Sequence, residues 1–264
     1  AVSEDGIHFQ KYWKNPVIRH FPPEGSEDFR DPKVTKIGRT YYMVCASGKD
    51  GVGKILLYCS KDLMEWKYEG VLHEGAAYGG VLECPDFFPF GDKYLLMFSQ
   101  MGRDMESTMF IYGDFDGKRF EPISWHMPQT GPHYYAPQTF EDDKGRRIII
   151  GWLNNKDERL NCGADYAGAF TIPCTLEMRD GTLCMYPVQE AQAMLAQEDP
   201  LVIRRENGIL LKTRNLRFPL EYHGKVKELA ILRDTKTIEV FVNGGQKAFT
   251  YWYAGPEEGS VKPE

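Results

Sequence analysis

The stretch ECPDFFPFGDKYLLMFSQ, from Glu83 to Gln100, decides the fold because both of its parts recur elsewhere in the chain. Its first part, ECPDFF, resembles FRDPKV at Phe29–Val34 and YAPQTF at Tyr135–Phe140. The prolines of the three motifs stand 53 and 52 residues apart, at Pro32, Pro85 and Pro137. An apolar run typical of a β-strand follows each motif: TYYMVCAS, KYLLMFSQ and RRIIIGWL. The chain therefore contains a repeat of about 50 residues.

Each repeat has room for about four short strands. The strand-like runs KILLYCS and TMFIYGDF correspond in the first two repeats, and the third continues with GAFTIPCTLEMRDG and TLCMYPV. Four-stranded units at this spacing are typical of β-propeller blades, whereas a β-sandwich has no reason to repeat its motifs so regularly. We therefore predict an all-β fold with each motif on the innermost strand of a blade. Proline is tolerated there because that strand is also an edge strand.

The repeats do not add up to a closed ring. Complete units run over about 30–78, 83–130 and 135–188, and SEDGIHFQKY before them resembles only the outer strand of an earlier blade. About three and a half blades leave open edges, so the sequence is expected to begin inside a propeller. We predict a partial propeller over 1–188, a helical linker over 189–199 and a shortened, β-sandwich-like C-terminal domain over 200–264. In that domain NGG reads as a hairpin turn and AGPEEGSVKPE as a loose tail.

Composition narrows the possible partners. The net charge is −6 and the basic residues are scattered, which argues against nucleic acid or a membrane surface and favours a small neutral molecule such as a sugar. The six cysteines show no CxxC spacing and no histidine cluster, so we expect free thiols, no metal and no cofactor. Free thiols indicate a reducing compartment, and we predict the cytoplasm. AVSEDGIHF looks like the middle of a domain, which leaves the question of a signal peptide open.

When the repeats are superposed, four side chains that could bind or cleave a substrate lie at one end of the innermost strands. Arg30, Glu83 and Tyr135 all lie two residues before their proline, and Asp31 lies one before. Two carboxylates converging in an aromatic-walled pocket are the minimum equipment for cleaving a glycosidic bond. Glu83 has the apolar neighbours that suit a general acid, and Trp152 offers a stacking face. The plainer alternatives are an Arg30–Asp31 ion pair, a solvent-exposed Glu83 and a core Trp152.

Three other features are interpreted as structural. Asp86 is expected to bond to backbone amides on the opposite strand face from the site, and His133 to be a rim or packing residue. The stretch GKDGVGK at Gly48–Lys54 lacks the GK[ST] ending of a phosphate loop and reads as a hairpin.

The motifs together resemble glycoside hydrolase family 32, the family of invertases, sucrose-6-phosphate hydrolases and fructan hydrolases. FRDPKV, ECPDFF, YAPQTF with RRIIIGW, and TIEVFVNGGQKAFT occur in the family's order over nearly the whole chain. The resemblance implies a five-bladed β-propeller with a C-terminal β-sandwich and retaining hydrolysis of β-fructofuranosides. It implies Glu83 as general acid/base and Asp31 as transition-state stabiliser, assisted by Arg30. Tyr135 and Cys84 would tune the acid/base and line the pocket.

One departure from the family pattern is large. The family nucleophile is an aspartate in an NDPNG-like motif, which these 264 residues do not contain, and Asp28 lies only in the approach to the RDP strand. We therefore predict little hydrolysis by this chain alone, with the ring completed by a complementing N-terminal segment or another copy of the chain. The alternatives are a non-catalytic carbohydrate-binding remnant and a five-bladed glycosidase acting on arabinan or xylan. Sucrose, its 6-phosphate and a fructan oligomer all remain candidate substrates.

Overall fold

A computed structural model describes residues 1–102, 107–154, 168–212 and 220–252. Within these residues the regular structure is almost entirely β-strand, as the sequence predicts. The chain divides into two compact units, residues 1–96 with 113–123 and residues 97–112 with 124–264. No helix in the described ranges is long and apolar enough to cross a membrane.

The three repeats form three sheets. The strands up to residue 187 are β1 (Phe29–Ile37), β2 (Thr40–Lys49), β3 (Val52–Ser60), β4 (Lys67–Gly75), β5 (Leu82–Phe90), β6 (Lys93–Gln100), β7 (Thr108–Phe115), β8 (Phe120–His126), β9 (Gln129–Thr130), β10 (Tyr134–Glu141), β11 (Arg147–Leu153), β12 (Ala169–Phe170), β13 (Cys174–Arg179) and β14 (Thr182–Pro187). The sheet orders are β1-β2-β3-β4, β5-β6-β7-β8 and β10-β11-β13-β14, with β12 also paired to β11. Each repeat is thus a sheet of four main strands that follow one another along the chain.

The motif strands lie where the proline argument places them. β1, β5 and β10 each lie at the edge of their sheet. The missing N–H of each motif proline therefore costs no hydrogen bond to a neighbouring strand on that side. The predicted hairpin at Gly48–Lys54 is also confirmed, because β2 and β3 are joined by a tight turn. Asp50 and Gly51 at that turn have φ of 54° and 78°, the left-handed values that a two-residue hairpin turn requires.

Six further strands follow residue 200 in the described part of the chain. They are β15 (Val202–Arg205), β16 (Gly208–Leu211), β17 (Leu220–His223), β18 (Leu229–Arg233), β19 (Thr237–Val242) and β20 (Lys247–Trp252). One sheet has the order β15-β16-β17 and the other β18-β19-β20-β9. The predicted hairpin at NGG joins β19 to β20, with Asn243 at φ 52°. The second repeat was predicted to run over 83–130, and this end is too late. Gln129 and Thr130 pair in parallel with β20 and do not extend the sheet of β5 to β8.

Two local predictions need correction. SEDGIHFQKY forms no strand; residues 1–28 hold one isolated bridge, Val2 to Gln10, and Asp5 instead accepts the amides of Ile7 and His8 in a turn. The helical linker is only a 3-10 helix over Gln189–Met194, because the run of helix formers is short and has no side-chain cap. The tail predicted to be loose lies outside the described residues.

Each unit has its own apolar core. In the first unit the central buried residues are Met43, Cys45, Leu56 and Tyr58. In the second unit, buried side chains of β16 to β20 form the core that contains Leu211, Ile231, Val240, Phe249 and Tyr251. Several strands of these cores, such as β2 and β19, are buried at consecutive positions, so they are packed on both faces.

Candidate active site

The residue before each motif proline has a left-handed backbone. Asp31, Cys84 and Ala136 have φ of 54°, 47° and 46°, a region that non-glycine residues seldom occupy. The ladder shifts register at the first and third of these positions, between Arg30 and Lys33 and between Tyr135 and Gln138. A bulge of this kind redirects the neighbouring side chains and often lies beside an active site. The proline motif therefore builds the same bend in each repeat.

The first two bends are joined by hydrogen bonds. The backbone amide of Cys84 donates to Oδ2 of Asp31 at 3.0 Å, and the Cys84 Sγ lies 3.5 Å from the same oxygen. Asp31 on β1 therefore lies against the residue that follows Glu83 on β5. Both carboxylates belong to the first unit, and the structure brings their strand ends together as the repeat predicts.

The guanidinium of Arg30 makes the second link. Its Nη2 lies 2.9 Å and its Nε 3.3 Å from Oε1 of Glu83, and Nη1 bonds to the exposed carboxylate of Asp28. The hydrogen bond with Asp28, followed by that with Glu83, raises the pKa of Arg30 above its usual range. Arg30 thus bonds to Glu83 and Asp28, and its expected assistance to Asp31 stays a prediction.

The thiol beside Glu83 is protonated at neutral pH. Burial, followed by the charge of Asp31, raises the pKa of Cys84 to about 12. A protonated thiol is a weak donor, which fits its position next to the Asp31 carboxylate. Cys84 therefore contacts the aspartate, and its predicted effect on Glu83 stays a prediction.

Asp86 forms an ion pair with a residue of the neighbouring motif strand, and its expected bonds to backbone amides stay a prediction. Its side chain is fully buried, and Oδ2 lies 3.5 Å from Nζ of Lys33 on the neighbouring motif strand. Removing one member of such a pair leaves the other charge uncompensated, which is costly in a buried setting. The pair joins β1 to β5 beyond the Arg30–Glu83 link.

The other predicted residues lie in the second unit. Tyr135 is buried and its Cα is the ladder partner of Trp152, whose side chain is exposed. Their grouping with Glu83 stays a prediction. His133 is a packing residue: its Nδ1 accepts the amide of Trp252 at 3.1 Å, and its ring lies against Tyr251.

No metal-binding group is present in the described part of the chain, where no three His, Cys, Asp or Glu side chains come close enough to hold an ion. The five cysteines within it are free thiols, and Cys162 lies outside the described residues.

Comparison with known proteins identifies the family. The model of the glycosyl hydrolases family 32 N-terminal domain matches residues 1–187. The chain belongs to glycosyl hydrolase family 32. The three motif strands β1, β5 and β10 all lie within the matched residues.

Curated relatives of this family 32 chain agree with that assignment. It is 36% identical to an Escherichia coli sucrose-6-phosphate hydrolase over an alignment of 214 positions, which covers 76% of this chain and 44% of that protein. It is 35% identical to an Escherichia coli raffinose invertase, with 82% of this chain and 47% of that protein covered. The chain spans about half the length of the curated relatives it matches.

A solved structure shares the fold. A family 32 beta-fructofuranosidase of Bombyx mori superposes with a TM-score of 0.82 over 96% of this chain and 66% of its own, at 23% identity. At that identity the likeness concerns the fold alone.

Two further residues of this family 32 chain lie next to the carboxylates of Asp31 and Asp86 and were not predicted as site residues. Lys33 pairs with Asp86, and the buried Cys45 lies close enough to Asp31 for that charge, after burial, to raise its pKa to about 12. The sequence could have indicated Lys33, because it lies two residues beyond Asp31 on the same strand. Cys45 is on β2, two residues after Met43. This spacing indicates only that both side chains belong to the core, so the sequence gives no sign that Cys45 lies near Asp31.

Proposed function

We propose that this chain carries the acid/base side of a retaining β-fructofuranosidase active site, acting on sucrose or sucrose-6-phosphate. The observation that carries the proposal is the junction of β1 and β5, where Asp31 accepts the Cys84 amide and Arg30 pairs with Glu83. Glycosidic cleavage with retention uses an acid/base carboxyl group and a nucleophilic carboxylate, and Glu83 at this junction is proposed as the first of the two, with Asp31 beside it as stabiliser. The names of the relatives, sucrose-6-phosphate hydrolase and raffinose invertase, support this substrate class.

Each side chain has a proposed role. Protonated Glu83 donates its proton to the glycosidic oxygen as the bond to the fructose carbon breaks, and its carboxylate later takes a proton from the attacking water. Asp31 hydrogen-bonds fructose hydroxyls and stabilises the positive charge that develops on the ring. Arg30 holds Glu83 in place, and Cys84, Tyr135 and Trp152 line the pocket.

The reaction also needs a nucleophilic carboxylate about 5–5.5 Å from the acid/base. The family supplies it from an NDPNG-like motif, and the 264 residues contain none. We therefore propose that this chain by itself turns sucrose over little or not at all, because the fructosyl-enzyme ester cannot form. A complementing N-terminal segment would supply the attacking group, and a second copy of the chain is the other candidate for completing the fold.

The proposed architecture is a five-bladed β-propeller with a C-terminal β-sandwich-like domain. The sheets led by β1, β5 and β10 would be three of its blades, which supports a propeller part over 1–188. The 3-10 helix at Gln189–Met194 supports a linker over 189–199, and the sheets of β15 to β20 support a separate domain over 200–264.

The test is a matched pair of proteins: the 264-residue chain alone, and the same chain fused behind an N-terminal segment of a family member that contains an NDPNG-like motif. We expect sucrose hydrolysis only from the fusion. Glu83→Gln in the fusion is expected to lower sucrose turnover by about 100-fold or more, because the leaving group is no longer protonated. With β-fructosyl fluoride, whose leaving group needs no proton, added azide should restore turnover by replacing the water that Glu83 activates.

The other outcomes separate the alternatives. Rapid sucrose turnover by the isolated chain would contradict the proposal. Binding of fructose or sucrose without cleavage, even in the fusion, would indicate a non-catalytic carbohydrate-binding protein. Cleavage of arabinan or xylan oligosaccharides but not sucrose would indicate the related pentose-acting glycosidase.

A further inference from the structure

Three glycines lie in a row across the first sheet. Gly48 on β2 is the Cα partner of Gly53 on β3, and Gly53 is in turn the partner of Gly75 on β4. Residues directly opposite each other on antiparallel strands belong to the same face of the sheet. A strip without side chains therefore crosses three strands on one face, and we call Gly48, Gly53 and Gly75 the glycine row.

The chain that connects β4 to β5 crosses directly over the glycine row. Its successive residues each cover one glycine: Tyr78 lies on Gly75, Gly79 on Gly53 and Gly80 on Gly48. A Cβ at Gly53 would lie 2.8 Å from the carbonyl oxygen of Gly79, and a Cβ at Gly48 would overlap the carbonyl oxygen of Gly80. The crossing chain thus approaches the sheet more closely than any side chain in the row would permit.

This close approach, and not backbone conformation, requires glycine at Gly48 and Gly53. Neither residue has a left-handed φ, whereas Gly51 between them has φ 78° and no neighbouring atom within 4 Å of a Cβ placed there. An alanine at Gly48 or Gly53 can adopt the strand backbone, but its Cβ would push the crossing chain away from the sheet.

The crossing chain leads directly to Glu83. The amide of Gly53 donates to the carbonyl of Gly79 at 2.8 Å. Leu82 is fully buried, and its Cδ2 would lie 2.7 Å from a Cβ at Gly53. Glu83 is the next residue, and its Oε1 accepts a hydrogen bond from Nη2 of Arg30 at 2.9 Å. The position of Glu83 relative to Arg30 therefore depends on how closely the crossing chain lies on β3.

We propose that Gly48 and Gly53 are positioning residues for the general acid/base, because they set the distance between the crossing chain and the sheet. The inference rests on the proposed function and extends it to two residues that do not touch the substrate. A Cβ at either glycine moves Glu83 away from Arg30 and from the glycosidic oxygen. A misplacement of about 1 Å at a reacting group is enough to lower a rate about 100-fold.

The first measurement uses the 264-residue chain and does not depend on catalysis. The Nε–H resonance of Arg30, assigned from its absence in Arg30→Lys, reports the hydrogen bonding of this group to Glu83. Gly48→Ala and Gly53→Ala should each shift this resonance towards its position in Glu83→Ala. Gly51→Ala is the matched control from the same hairpin. Its left-handed φ makes alanine strained, but the new Cβ meets no neighbour, so stability should fall while the resonance stays in place.

The second measurement uses the fusion protein. Gly53→Ala should lower sucrose turnover about tenfold to 100-fold, and should lower turnover of β-fructosyl fluoride with azide less than threefold, because that reaction needs no proton transfer by Glu83. Gly51→Ala should leave both rates within about twofold of the parent fusion. A general loss of folded protein would lower the two rates alike, so their ratio identifies a positioning role.

An Arg30 resonance and a rate ratio that keep their parent values in folded Gly48→Ala and Gly53→Ala would overturn this inference. If urea unfolding shows that neither variant folds, hydrogen exchange in the parent chain decides. A Gly53 amide that exchanges as fast as in the unfolded chain would overturn the inference, and one protected as strongly as the Cys84 amide would support it. A parent fusion that does not hydrolyse sucrose would contradict the proposed function, and the Arg30 resonance would still test the position of Glu83.

Discussion

The amide of Cys84 donates a 3.0 Å hydrogen bond to the carboxylate of Asp31, so the residue beside the glutamate of the second motif is tied to the aspartate of the first. Both residues have a left-handed backbone, at φ 47° and 54°. One bend presents the amide and the other presents the carboxylate that receives it. The repeat thus brings two acidic side chains to one place, although 52 residues separate them in the chain.

Substitutions at Asp31 test the hydrogen bond and the bend together, because alanine lacks the acceptor and is also strained in the left-handed backbone that asparagine tolerates. Asp31→Asn keeps an acceptor oxygen and a residue that tolerates the left-handed region, so its free energy of unfolding should stay within about 1 kcal/mol of the parent. Asp31→Ala removes the acceptor and should lower that free energy by about 1–3 kcal/mol. Urea unfolding with a constant m-value checks both. Equal losses in the two variants would contradict a role for the carboxylate oxygen in holding the Cys84 amide.

Ala136 tests the cost of the third bend. Its φ of 46° is strained for alanine and open to glycine, and Ala136→Gly should raise the free energy of unfolding by about 0.5–1 kcal/mol. The matched control is Ala248→Gly on β20, where the strand is regular and the residue is buried. There glycine should destabilise by about 1 kcal/mol. Thermal or urea unfolding of the two variants should therefore move in opposite directions.

Much of the fold follows from local signals in the sequence. The apolar runs after Pro32, Pro85 and Pro137 locate the strands, and the turn residues Asp50–Gly51 and Asn243–Gly244 locate two hairpins. These features are local, and local geometry is what residue type constrains most strongly. The expectation that each motif strand ends its sheet also follows, because proline cannot donate to a ladder.

The parts that escaped prediction depend on contacts between distant segments. Gln129–Thr130 has no pattern of its own and becomes a strand only because β20 offers an edge. Arg30 could pair with either neighbouring carboxylate, and the register shift after it decides for Glu83. Glu239 was not singled out from the sequence, and packing on both faces of β19 buries it. Sequence periodicity does not report such pairings.

The Cys84 thiol should be unreactive in the folded protein. With a pKa of about 12 it is almost entirely protonated at pH 8, while a cysteine in an unfolded chain has a pKa near 8.5. Alkylation of Cys84 by iodoacetamide should be at least about 100-fold slower in the native chain than in urea. Peptide mass spectrometry resolves the rate at each cysteine.

A variant distinguishes the charge of Asp31 from burial at this thiol. Asp31→Asn removes the carboxylate charge that adds to the effect of burial, so alkylation of Cys84 should become faster at pH 8. A native rate equal to the rate in urea would show that the thiol is not shielded.

Glu239 should make the stability of the chain depend on pH. Burial raises its pKa to about 8, against the opposing effect of the Ile172 amide, and the neighbouring phenol of Tyr134 and thiol of Cys174 stay neutral because burial raises their pKa as well. Between about pH 4.5 and 8 the unfolded chain has lost the proton that the folded chain keeps. The free energy of unfolding attributable to Glu239 therefore falls as pH rises through this window, by up to about 1.4 kcal/mol per pH unit.

Glu239→Gln removes the titration and keeps an acceptor for Ile172. Urea unfolding of parent and variant is measured at pH 5, 6, 7 and 8. The free energy of unfolding of the variant should rise steadily relative to that of the parent as pH rises, because every other titrating group is common to both proteins. Loss of a protonated-carboxyl stretch from the infrared spectrum of the variant at pH 6 would identify the group directly. Parallel stability curves would mean that Glu239 is ionised in the folded chain, with its charge satisfied by the Ile172 amide and by the Thr250 hydroxyl, which donates to Oε2 at 3.5 Å.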